Sequence, residues 1–175
     1  MRRPIRPEWL IRLARETSRR RSRTWATAQH EPRRATSSAY YAAFHAVALA
    51  VAVEALPNAS EAERHGYARY VNHQAVEKVC GWISGADSPL HVRGLIDRLR
   101  RNQALSGVAT GFLTLKEQRE AADYDHGADF TRPGTLALVG RADGAVLAIR
   151  ANSATDDYRA FFGLIALQTA VRTNR

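Results

Sequence analysis

Residues 37–53 read SSAYYAAFHAVALAVAV, and the fold turns on how this stretch is read. At about 100° per residue, Tyr40, Phe44, Val47 and Val51 form one face of a helix, and Tyr41, His45, Ala48 and Ala52 form another. Alanines fill the gaps, so the helix is apolar on most sides and its small residues let neighbours come close. A helix of that kind belongs at the centre of a bundle. Pro32 suits a first helical turn and Pro57 blocks continuation, which predicts a helix from near Pro32 to just before Pro57.

Working outward, every long periodic segment is helical and none keeps a strand alternation. A first helix starts near Pro7, carries Leu10, Leu13 and Ala14 on one side, and runs into RRRSR at 19–23. A third opens with the capping box SEAE at 60–63 and continues to about Ile83. Ser88-Pro89 starts another, with Val92, Leu95, Ile96 and Leu99 at helical spacing. LSG at 105–107 is expected to bend or break the chain before FLTLKEQREAADYDHG, residues 112–127, whose helix should stop near Gly127. Two segments follow, about 133–152 and a last one after Ser153 and Thr155, with Asp156 and Asp157 favourably placed in its first turn. The expectation is one all-α domain over residues 1–175, an up-and-down bundle of five to six helices.

The bulk numbers suit this. The 175 residues are enough for one full core, and 45% hydrophobic with 25% charged is an ordinary globular balance. The net charge is +9, and of 26 basic residues only Lys78 and Lys116 are lysines, leaving 24 arginines. The arginine fork fits phosphates and carboxylates, which points to a polyanionic partner. A general preference for Arg over Lys explains the same count. Arg19, Arg20, Arg21 and Arg23 are the densest cluster, to be read as a nucleic-acid contact or as a solvated helix end. Cys80 is the only cysteine, which excludes intramolecular disulfides and cysteine-rich zinc sites. The N-terminus has no apolar signal core, and the run from Tyr40 to Val53 is too short for a bilayer, so a soluble cytoplasmic protein without a membrane partner is expected. His73 and Glu77 are spaced as a metal pair, and His65 is near in sequence, but further ligands do not recur; no metal or other cofactor is expected.

Residues 112–127 raise the chemical question. Phe112, Leu115, Arg119, Ala122, Asp123 and His126 fall within about a third of a turn, so an apolar stripe ends in three polar groups. Burying those unpaired is costly, and they should line a cleft or a contact with another chain. Arg119 and His126 would share a face about 10 Å apart along the axis, with Asp123 able to pair with either. A histidine moves protons near neutral pH, and an arginine neutralises a phosphate whose charge grows in a transition state. Together they suffice for cleavage of RNA by 2′-hydroxyl attack without a metal. The plainer reading is an ion pair and a histidine at a helix end. Tyr41 and His45, on the central helix, belong either to the core or to the same polar pocket.

RRATSSAYYAAFHAV, residues 33–47, followed late in the chain by LKEQREAADYDH, residues 115–126, resembles the HEPN superfamily of prokaryotic helical domains. The likeness lies in Ala-Tyr-Tyr-Ala-x-Phe-His at Ala39–His45 and Arg-x-x-Ala-Asp-Tyr at Arg119–Tyr124. It implies a small helical bundle that forms a homodimer through its motif helices. It also implies a metal-independent endoribonuclease of toxin–antitoxin or other defence systems. On that likeness Arg119 holds the scissile phosphate, His126 transfers the proton and Asp123 orients one of them. Tyr41, His45 and Tyr124 support the site. The family's arginine and histidine enclose four to six residues, and Arg119 and His126 fill that window at its long edge. RNA would be the substrate, and an antitoxin or a minimal nucleotidyltransferase the partner. The likeness also admits a non-catalytic module that binds a nucleotide or such a partner, with Tyr124 as a site of nucleotide attachment.

Overall fold

The central helix is longer than its pattern requires. In a computed structural model, which describes residues 6–20 and 25–173, it spans Trp25–Ala55 (α2), 31 residues. Pro32 therefore lies inside the helix, two turns from its start, and does not open it. Around α2 stand α1 (Pro7–Arg19), α3 (Glu61–Ala68), α4 (His73–Ile83), α5 (Arg93–Arg101), α6 (Gln103–Tyr124), α7 (Arg132–Asn152) and α8 (Asp156–Thr173). The described residues thus form an all-α bundle with no strand, and α1, α3, α6, α7 and α8 all pack on α2.

Among the described residues eight α-helices stand where five to six were expected; one asparagine splits an expected helix and another moves an expected break. Asn72 breaks the segment expected to run to Ile83: its side chain accepts a hydrogen bond from the Ala75 amide at 2.7 Å and starts α4. Asn102 ends α5 and caps α6 in one step, accepting from the Leu105 amide at 3.1 Å and donating to Asp157 at 2.9 Å. The break falls there and not at Leu105–Gly107, which continue as helix. The capping box does form: the Ser60 hydroxyl accepts from the Glu63 amide, and the Ser60 amide donates to the Glu63 carboxylate.

Tyr40, Phe44, Val47 and Val51 of α2 are buried, as their shared face predicts, against Phe112 and Leu115 of α6 and Phe161 and Phe162 of α8 in one contiguous core. The second face divides. Ala48 and Ala52 are fully buried, while Tyr41 and His45 are half-exposed at the edge of the α2–α6 contact. Residues 29–55 have the length and hydropathy of a membrane span, yet most of that surface is covered by the other helices, as in a core helix.

Candidate functional site

The polar end of the α6 stripe emerges from the core where the sequence places it. Phe112 and Leu115 are fully buried, Arg119 is partly covered, and Asp123 reaches the surface. α2 runs beside α6 in the opposite direction, with Ser37 facing Asp123 and Tyr41 facing Arg119. Arg119 is held three ways. Its Nε lies 2.7 Å from an Asp123 oxygen as an ion pair, its Nη2 donates to the Tyr41 hydroxyl at 3.2 Å, and its guanidinium lies over the rings of Tyr41 and Tyr124. The Ser37 hydroxyl donates to the other Asp123 oxygen at 2.8 Å. Asp123 therefore pairs with Arg119 and not with His126.

α6 ends at Tyr124, short of the expected Gly127, so His126 is not on the stripe; it sits exposed in the turn that follows. The turn is tightened by Asp125, whose side chain accepts from the Gly127 amide at 2.8 Å. It is also held from α2. Arg33 donates to the carbonyls of Ala122 at 3.1 Å, Asp125 at 2.9 Å and Ala128 at 2.5 Å, and its guanidinium covers the Phe130 ring. The last carbonyls of a helix have no partner within it, and this one arginine satisfies several. Arg33 positions His126, and only a remote contact reveals it; no local motif marks it.

An open groove of about 1210 Å3 runs along this contact, lined by Tyr41, His45, Asp123 and His126 with Arg34 and His30. His45 makes no hydrogen bond among the described residues, and burial holds its pKa below the ordinary histidine value. A fourth histidine, His73 at the start of α4, was legible only as half of a weak metal pair. Its ring stacks on Phe44 with centroids 3.7 Å apart, and its Nδ1 lies 2.6 Å from the Tyr40 hydroxyl. Burial first, then the charge of Arg119 and then His45, hold its pKa below the ordinary value. Burial pushes the Tyr40 phenol up, so it stays protonated.

Other sequence candidates fall elsewhere. His65 pairs with Glu61, and no three His, Cys, Asp or Glu side chains converge as a metal site among the described residues. Arg19 and Arg20 are exposed at the end of α1; Arg21 and Arg23 lie outside the described residues. A second cavity of about 640 Å3 lies between α2, α7 and α8, with Leu49, Val53 and Phe162 in its wall and the pairs Glu8–Arg150 and Glu54–Arg159 around it. None of the residues considered for phosphate or proton chemistry lines it. Set against family models, curated proteins and solved structures, the chain matches none of them.

Proposed function

We propose that the chain is a metal-independent endoribonuclease of HEPN type, working as a homodimer in a toxin–antitoxin or defence setting. The observation that supports this best is the groove: Tyr41, His45, Asp123 and His126 line it, and Arg119, outside the lining itself, is bonded to two of those residues, Tyr41 and Asp123. In this reading Arg119 neutralises the scissile phosphate and His126 transfers a proton. The 2′-hydroxyl gives up its proton as its oxygen attacks phosphorus, the bond to the 5′-oxygen breaks, and a proton passes to that oxygen by way of His126, leaving a 2′,3′-cyclic phosphate and a 5′-hydroxyl. Asp123 and Tyr41 fix the guanidinium. The test is cleavage of a mixed RNA pool in EDTA by wild type, Arg119→Ala and His126→Ala. Cleavage by wild type alone, with cyclic-phosphate ends, is the expected result; equal cleavage by all three refutes the assignment.

A second reading, a module that binds a nucleotide or a nucleotidyltransferase without turnover, draws on a different observation. Asp123 already neutralises Arg119, and Tyr124 presents its ring and hydroxyl 72% exposed beside them. Stable binding of a nucleotide or partner with no cleavage by any preparation favours that module.

A further inference from the structure

The register of α2 against α6 separates the two residues that the ribonuclease reading joins. Arg119 is level with Tyr41, whereas the turn that carries His126 is level with Arg33, about 12 Å earlier along α2 at 1.5 Å per residue. Groups that bind one phosphate place their donors about 3 Å from its oxygens. The guanidinium of Arg119 is pinned to Tyr41 and Asp123, and the His126 turn is pinned by Arg33. Two histidines border Tyr41, His45 with ring centroids 6.4 Å apart and His73, and of the two it is His73 that feels the charge of Arg119. Its ring lies edge-on to Tyr41, centroids 6.1 Å apart, and the Arg119 guanidinium lies 5.7 Å from the centre of the same tyrosine ring.

His73 is built as a donor. The Tyr40 hydroxyl is buried and makes no other hydrogen bond among the described residues, so it donates to Nδ1. Nε2 then carries the hydrogen of the neutral ring, on the edge away from Tyr40, and the residue as a whole is exposed. Among the described residues Nη1 of Arg119 has no hydrogen-bond partner, with Asp123 paired to Nε and Tyr41 bonded to Nη2. The nearby carboxylates Glu77 and Glu120 are both paired with Lys116, at 3.2 Å and 2.8 Å, which blunts their repulsion of an anion.

We infer that His73 and Arg119 together form a phosphodiester-binding site at the junction of α2, α4 and α6. The identity of its ligand rests on the ribonuclease reading.

The test is binding of a short fluorescent RNA, 2′-O-methylated throughout so that it is not cleaved, measured by anisotropy alongside cleavage of its unmodified twin. His73→Phe keeps the stack on Phe44 and removes the donor; Arg119→Gln removes the charge. Each is expected to weaken binding about tenfold, as loss of a charge-assisted contact does. The double variant should lose less than the product, because the two act on one phosphate. His73→Gln, which can donate, should recover part of the affinity, and the exposed control Arg93→Ala should stay within about twofold. Should His73→Phe fail to fold, His73→Ala carries the same comparison. Wild-type affinity in the His73 variant, multiplicative losses, or no binding by wild type overturns the site. Binding that depends on both residues without cleavage of the unmodified RNA sinks the ribonuclease reading alone. Cleavage with no dependence on His73 sinks the site alone.

Discussion

At the Arg33 end of the α2–α6 contact, a guanidinium from one helix grips the backbone of another; at the Tyr41 end, side chains grip one another. Arg33 bonds carbonyl oxygens, which every residue supplies, so its grip on the turn does not depend on the side chain at His126. Tyr40, Tyr41, Phe44, His73 and Arg119 instead hold each other by ring faces and hydroxyls, and each depends on its neighbours' identity. The first end leaves His126 in water with free choice of partner. The second end keeps its histidines partly out of water and neutral. A site that must meet another molecule suits the first construction; a site that must hold a fixed donor suits the second.

The largest expected effect breaks the first end. Arg33→Ala strands the carbonyls that finish α6 and should cost about 2 kcal/mol in urea unfolding, allowing for the partial exposure of the bonds. The exposed neighbour Arg34→Ala should change stability by less than about 0.5 kcal/mol. An Arg33→Ala protein as stable as wild type would mean that the Asp125 turn and the Gln29–Asp129 bond hold the segment without the clamp. Asp123→Ala tests the other end and should cost about 1 kcal/mol. The Arg119–Asp123 pair has side chains 22% and 29% exposed, so water screens it, but the Ser37 bond goes too. A loss beyond that of Arg33→Ala would reverse the ranking of the two ends.

What was legible in the sequence follows the same division. Periodicity reports burial, and so the core face of α2, the apolar stripe of α6 and the emergence of Arg119 and Asp123 from it were all readable. Local chemistry was readable too: the Ser60–Glu63 box forms as spelled. Helix ends set by asparagine were not anticipated, because Asn72 and Asn102 sit in segments whose apolar spacing runs straight through them. Gly107 looked like a breaker and is an ordinary helical residue with open space around it. The clamp by Arg33 and the Tyr40–His73 bond were out of reach for another reason. They join residues 92 and 33 positions apart, and no local pattern encodes a partner at that distance.

Acid should loosen the second end before the first. His45 and His73 have pKa values lowered in the folded protein, burial being the main cause, with Tyr40 and Tyr41 on α2, Arg119 on α6 and Glu77 on α4 around them. In the window just below the ordinary histidine pKa the unfolded chain binds these protons and the folded one does not, so stability falls as pH drops through it. The melting temperature should therefore decline from pH 7 to pH 5, and the paired variant His45→Gln/His73→Gln should decline less. Identical slopes would place the acid-sensitive groups elsewhere.

The smallest effect in free energy is also the most direct view of the second end. If Arg119 and His73 flank one tyrosine, removing the arginine's charge removes a repulsion that disfavours the imidazolium. The His73 ring resonance, followed by NMR across pH, should then titrate at a higher pH in Arg119→Gln than in wild type. Arg119→Lys should leave it near the wild-type position, since the charge stays within reach. Desolvation by Phe44 and Tyr40 is unchanged in both variants, so the value in Arg119→Gln should still lie below that of an exposed histidine. A His73 titration indifferent to Arg119→Gln would separate the two residues electrostatically. The α2–α6 contact would then consist of a backbone clamp at one end and simple aromatic packing at the other.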